Sequence, residues 1–132
     1  MNQLKVEVVK IEKVDRLHYL TLMLKKKVIH MLTLELNSKV KLGIDVNISI
    51  KSTNIAISKT FKNDISIENQ LKAKVIHIEN GSILSSICLD LEGFELESVI
   101  LLNASKRLDL KIEDEVFVVM SESDIFIVEK RF

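Results

Sequence analysis

The sequence predicts an all-β protein of two tandem five-stranded barrels, each with a short helix between its third and fourth strands. Three observations carry this: an internal repeat, a period-two alternation of apolar residues, and the same order of strand and turn signals in both halves. The repeat comes first, because a fixed internal period governs every later assignment. Asn2-Gln3-Leu4-Lys5 returns as Asn69-Gln70-Leu71-Lys72, an offset of 67. Val8, Ile11 and Glu12 recur at that offset as Val75, Ile78 and Glu79. Further on, Lys51-Ser52-Thr53-Asn54-Ile55-Ala56-Ile57 corresponds to Ser121-Glu122-Ser123-Asp124-Ile125-Phe126-Ile127 at an offset of 70, so the second copy carries three more residues, most simply around 108–111. The units are placed at 1–60 and 65–132, with the boundary in the polar, glycine-poor stretch 58–66.

Each strand follows from alternation, since successive side chains of a strand face opposite sides. Val6 and Val8, and less cleanly Val9 and Ile11, mark the first strand, repeated at Ala73, Val75, Ile76 and Ile78. Leu20, Leu22 and Leu24 mark the second, matched by Ile87, Leu89 and Leu91. Lys26-Lys27 and Glu92-Gly93 are the hairpin turns, and Glu92-Gly93 is the stronger signal because glycine tolerates positive φ. Third strands follow at 28–34 and 94–101. Asn37-Ser38 and Asn103-Ala104-Ser105 supply helix N-cap chemistry for the short helices. Fourth strands run over 46–50 and 116–120, fifth strands over 55–57 and 125–128. Five short strands in this order suit a small barrel, because closing the sheet removes its exposed edges.

Composition narrows the function. The 132 residues are 47% hydrophobic and 29% charged, a globular composition. A unit of about 60 residues is marginal alone, which calls for packing against the other half or another chain, and hence an oligomer. Lys+Arg and Asp+Glu balance at 19 each, so no net field draws in nucleic acid or an acidic membrane. Five Phe, one Tyr and no Trp are few for a base-stacking surface. The single cysteine, Cys88, lies in an apolar run and reads as a small buried hydrophobe in a reducing compartment. The N-terminal stretch lacks a secretory pattern, and no apolar run is long enough for a membrane span; the expected location is the cytoplasm. His18, His30 and His77 have no metal-ligand spacing, Ser85-Ser86 forms no nucleophile elbow, and no glycine-rich phosphate loop is present; the chain is read as a non-enzyme. Lys25-Lys26-Lys27 reads as a solvated hairpin tip, or else as a basic rim attracting oxyanions. Asn2, Gln3, Asn69 and Gln70 read as structural, bonding backbone at a subunit contact.

The pattern Asn-Gln-Leu-Lys-x-x-Val, followed about fifty residues on by Lys51-Ser52-Thr53-Asn54-Ile55, resembles the Mop or TOBE domains of molbindins. Also similar are Ser66-Ile67-Glu68-Asn69-Gln70-Leu71-Lys72 and Leu110-Lys111-Ile112-Glu113-Asp114-Glu115-Val116, and two units in tandem resemble the di-Mop molbindins. The resemblance implies OB-like five-stranded barrels that assemble as a homo-oligomer, a trimer favoured. It also implies molybdate or tungstate as bound ligand between subunits or subdomains, for storage, buffering or sensing, with no organic cofactor and no other metal. The ligand set it implies is Lys51, Ser52, Thr53, Ser66, Asn69 and Ser123. The chain departs from the family pattern at Glu68, where the family has arginine, and at Ser121, where it has lysine; the first copy opens at Met1-Asn2, inside the segment. One composite survives on paper, Ser66 of copy two with Lys51, Ser52 and Thr53 of copy one. Its chemistry is sound in itself, since hydroxyls, backbone N–H groups and an ammonium can surround a tetrahedral dianion. The alternative is a ligand-free TOBE-type scaffold working through protein contacts.

Overall fold

The computed structural model describes residues 2–128. The first half supplies β1 (Asn2–Val14), β2 (Leu17–Leu24), β3 (Lys27–Thr33), β4 (Asp45–Ile50), a 3-10 turn at Ser52–Asn54 and β5 (Ala56–Ser58). The second supplies β6 (Asn69–Asn80), β7 (Leu84–Leu91), β8 (Phe94–Leu101), α1 (Leu102–Leu108), β9 (Glu115–Met120), a 3-10 turn at Glu122–Asp124 and β10 (Phe126–Ile127). All strand pairs are antiparallel, and the chain is an all-β protein of two OB-like five-stranded barrels.

The fifth strands are exchanged between the barrels. One sheet runs β10-β4-β1-β2-β3 and the other β5-β9-β6-β7-β8. Phe126 lies opposite Ser49, and Ala56 lies opposite Val119. The sequence reading left each fifth strand in its own half. The structure crosses them, because the 3-10 turn after each fourth strand carries the chain onto the third strand of the other half, where Ser98 Oγ donates to the Ile55 carbonyl at 2.6 Å. Each barrel is therefore completed by three or fewer residues of its neighbour, and apolar residues of both halves form one core. This exchange meets the need of two marginal units for mutual packing.

Within each half the alternation holds. Leu20, Leu22 and Leu24 are buried in β2, and Ile87, Leu89 and Leu91 in β7. In β1 the buried apolar residues are Leu4, Val6 and Val8; then the register shifts between Val8 and Lys10, so that Ile11 faces Leu20. A bulge adds one residue on one strand and inverts the side-chain parity beyond it, which explains the blurred pattern at Val9. The same shift recurs between Val75 and His77. Each bulge is bonded to the turn before the fourth strand. Gly43 N donates to Val8 O at 2.7 Å and Glu113 N to Val75 O at 2.8 Å, with φ of +86° at Gly43 and +79° at Glu113.

Two expectations change. The short helix forms only in the second half, as α1. In the first, residues 34–44 make two turns, one held by the Asn37 side chain, whose Oδ1 accepts the Lys39 N–H at 2.9 Å. An Asx turn of this kind competes with helical bonding, and this segment is the shorter of the two. A cavity of about 110 Å³, walled by Met31, Leu36, Val40, Phe126 and Ile127 among others, lies beside it. The β2–β3 turn falls at Lys25-Lys26, one residue earlier than read, with Lys25 at φ +54°. This tip is docked: Lys25 Nζ donates to the Glu92 carbonyl at 2.6 Å and Lys27 Nζ lies 3.6 Å from Glu92 Oε1, so the two halves touch tip to tip.

The connection 59–68 is tacked along the second half. Lys59 Nζ reaches Asp109 O at 3.2 Å and the Asp114 carboxylate at 3.7 Å, Phe61 meets Phe117 edge-on, and Gln70 exchanges bonds with the Lys62 backbone at 2.8 and 2.7 Å. No helix among the described residues is long and apolar enough to cross a membrane.

Candidate functional site at the seams between the barrels

Strand exchange creates two seams, related by the repeat. At each, the 3-10 turn after a fourth strand lies against the third strand of the other half.

The first seam joins the turn at Ser52–Asn54 to β8. Asn2, at the start of β1 opposite Ile50, donates through Nδ2 to the Glu97 carbonyl at 2.8 Å and accepts the Glu97 N–H through Oδ1 at 2.8 Å. With its backbone clamped, the Glu97 side chain spans two hydroxyls. Ser52 Oγ donates to Oε1 at 3.0 Å, and Ser86 Oγ of β7 donates to Oε2 at 2.7 Å. Those bonds, Ser86 first and then Ser52, hold the Glu97 carboxyl below its ordinary pKa, because a hydrogen bond to the charged form favours that form. Lys51 precedes the turn, Thr53 lies within it, and both are exposed.

The second seam joins the turn at Glu122–Asp124 to β3. Asn69 repeats the clamp: Nδ2 donates to the His30 carbonyl at 2.7 Å, and Oδ1 accepts the His30 N–H at 2.8 Å. Here the side chain on the clamped residue is an imidazole, and His30 Nδ1 shares a hydrogen bond of 2.7 Å with the Tyr19 hydroxyl. Glu122 Oε1 accepts the Glu68 N–H at 3.3 Å, and Tyr19, His30, Leu32, Glu68 and Glu122 line a cleft of about 220 Å³. Ser121 and Ser123 place their hydroxyls 3.4 Å apart on this side.

The sequence-named residues thus divide between the seams. Lys51, Ser52 and Thr53 belong to the first, whereas Asn69 and Ser123 belong to the second, and Ser66 lies exposed three positions before Asn69. The described contacts do not bring Ser66 to Lys51–Thr53; they place its segment beside Glu122. Asn69 is fully buried, with both polar atoms of its side chain engaged by the His30 backbone. Sequence reasoning missed Ser86 and Glu97. The signal was available only through the repeat, since Ser86 and Glu97 stand 67 residues after Tyr19 and His30, which carry the equivalent cross-strand pair.

The seams also differ in charge. The first offers two hydroxyls, Ser52 and Ser86, on one carboxylate, with Lys51 and Thr53 exposed on the adjoining turn; the second presents Glu68 and Glu122. An exposed serine hydroxyl and an ammonium are donors to an anion, while a carboxylate only accepts. No group of three or more His, Cys, Asp or Glu among the described residues could hold a metal ion.

Paired OB-like barrels with exchanged strands, bonded across two repeat-related seams, define a tandem-barrel protein of the molbindin type. The chain belongs to the TOBE-domain family. The family's model, described as TOBE domain, matches residues 65–126. A "Probable molybdenum-pterin-binding protein" of Haemophilus influenzae is 36% identical over 64 residues, which cover 48% of this chain and 93% of that one. The fold matches the crystal structure of the cytoplasmic molybdate-binding protein ModG in its PEG-grown form with molybdate bound, with TM-score 0.86, 20% identity, and coverage of 96% of this chain and 94% of that one.

Proposed function

We propose that this protein binds a tetrahedral oxyanion, molybdate or tungstate, reversibly, and that it stores, buffers or senses it in the cytoplasm. Binding is by equilibrium contact, with no bond made or broken. The observation that carries the reading is the turn at the first seam, where Lys51, Ser52 and Thr53 gather an ammonium and two hydroxyls at the junction of two barrels. The names of the Haemophilus relative and of ModG support molybdenum as the element concerned. Lys51, Ser52 and Thr53 are the direct ligands in this reading. Ser66 and Ser123 are exposed hydroxyls available to a neighbouring subunit, and Asn69 shapes the seam by fixing the His30 backbone. Exposed Leu34, Leu42, Ile83, Leu101 and Ile112 leave apolar surface for a homo-oligomer to cover, and a homotrimer is the assembly the family resemblance favours.

Titration calorimetry with molybdate, tungstate and sulfate tests this. Heat with the first two is expected, and Lys51→Ala should weaken it by about ten-fold, the loss of one charge-assisted contact. No heat from any of the three at about 100 µM protein means an affinity weaker than roughly millimolar and ends the reading.

A second reading, a ligand-free scaffold, is favoured by one observation: Ser52, a proposed ligand, already donates to Glu97. On that reading Lys51→Ala changes neither assembly nor any ligand response.

A further inference from the structure

We propose that Glu97 is a resident anion of the first seam, a carboxylate that holds the oxyanion's hydroxyl donors and must leave before the oxyanion enters, so that this residue sets the affinity. The inference rests on the oxyanion reading above and adds to it the group that competes for the site.

The geometry is that of a ligand already bound. Each oxygen of the Glu97 carboxylate accepts one hydroxyl, Ser52 from the first barrel's turn at 3.0 Å and Ser86 from the second barrel's β7 at 2.7 Å. Two hydroxyls from separate pieces of the chain converging on two oxygens is the arrangement a tetrahedral oxyanion requires. The clamp from Asn2 fixes only the Glu97 backbone. The side chain above it is exposed and turns about its own torsions, so it can swing out without disturbing β8. A dianion cannot settle beside it, because like charges in contact at a protein surface repel strongly. The second seam shows that the clamp does not require a carboxylate. The equivalent residue there is His30, bonded to Tyr19. The acid is thus a property of this seam and not of the fold.

The test compares molybdate binding by the wild-type protein, Glu97→Gln and Glu95→Gln in the calorimeter at constant pH and salt. Glu95 lies two residues away on the same strand, is exposed, and has no contact with Ser52 or Ser86 among the described residues, so it controls for the simple loss of a negative charge. Glu97→Gln is expected to bind about ten-fold more tightly or better, with Glu95→Gln within about two-fold of wild type. Binding by Glu97→Gln where the wild type shows none would identify Glu97 as a block on the seam but would end the reading of the native protein as an oxyanion binder, and this inference with it. If wild type binds and Glu97→Gln gains nothing, or Glu95→Gln gains as much, this inference is overturned while the oxyanion reading stands. If none of the three binds, both fall. Thermal unfolding checks that Glu97→Gln is folded, and Glu97→Ser, short and neutral, serves in its place if it is not.

Discussion

Asn69 and His30 are bonded head to tail across the two barrels: the carboxamide donates to the His30 carbonyl at 2.7 Å and accepts the His30 N–H at 2.8 Å. Asn2 and Glu97 repeat the arrangement with the halves interchanged, at 2.8 Å for both bonds. One chain therefore contains a self-complementary contact of the kind that two-fold dimers make, in which residue i meets j and j's counterpart meets i's. Each carboxamide satisfies a backbone N–H and C=O on the open edge of β3 or β8, the outermost strand of its sheet, which explains why an asparagine heads both copies of the repeat.

Removing this clamp should cost more at Asn69 than at Asn2. Asn69→Ala leaves the His30 N–H and C=O without partners in a buried place, a loss of about 2–4 kcal/mol at the usual cost of unsatisfied polar groups. Asn2→Ala, at the less enclosed end of its strand, should cost about 1–2 kcal/mol. Urea denaturation of both variants measures the difference. Equal small losses would show that the clamps do not hold the barrels together.

The two turns that pin the bulges differ at the residue with positive φ. Gly43 sits at φ +86° and its counterpart Glu113 at φ +79°, a region that costs side-chain-bearing residues about 1 kcal/mol. Glu113→Gly should therefore stabilise the protein by about 0.5–1 kcal/mol, despite the greater freedom of glycine in the unfolded chain. The ion pair lost with it, Lys74 to Glu113 at 3.4 Å, is largely exposed and contributes little. Gly43→Ala should destabilise by a similar amount, and thermal unfolding of the two variants should move in opposite directions.

Ser49 in β4 is buried, and its hydroxyl has no hydrogen-bond partner among the described residues; the equivalent position in β9 is Val119, also buried. The second copy thus shows the residue that the site accepts. Ser49→Val should raise stability by about 1 kcal/mol by removing an unpaired buried hydroxyl and adding apolar surface to the interior. A loss of stability in chemical denaturation would mean that the cavity around Ser49 is too small for the two methyl groups.

How much of this was legible before the structure follows from which contacts are local. Leu20, Leu22 and Leu24 announce a strand because alternation is a local property, and the repeat transfers that reading to Ile87, Leu89 and Leu91. The bulge at Val9 and Ile76 blurred the signal because one extra residue inverts the facing of all that follow. The destination of β5 and β10 was not legible. Ile57 and Ile127 suit either barrel's edge equally well, and the choice is made by the turn at Ser52 packing on β8, a contact between residues far apart in sequence. Glu97 was invisible for the same reason. Its partners, Ser52 and Ser86, lie in different halves and join it only after the barrels dock. The split of Ser66 from Lys51 also depends on that docking.

Cys88 offers a pH-dependent check on the electrostatics of β7 and β8. Its thiol is pushed above the ordinary value, first by burial and then by the Glu95, Glu97 and Glu79 carboxylates. All of these disfavour the thiolate, so at about pH 8 the native protein holds less of the nucleophilic form than the unfolded chain does. Alkylation by iodoacetamide should then be slower in the native protein than in urea, and the ratio should narrow as pH rises through the folded pKa. The sign for stability follows: the native state keeps the proton longer, so stability from this group is full below the unfolded pKa and declines as pH rises through the folded one. Glu97→Gln removes one of the opposing charges and should speed the native reaction, with Glu95→Gln speeding it more, because Glu95 is the larger influence on the thiol. Mass-spectrometric rates at several pH values measure this. A native rate equal to the unfolded one at about pH 8 would show that neither the packing around Cys88 nor its acidic neighbours govern the thiol.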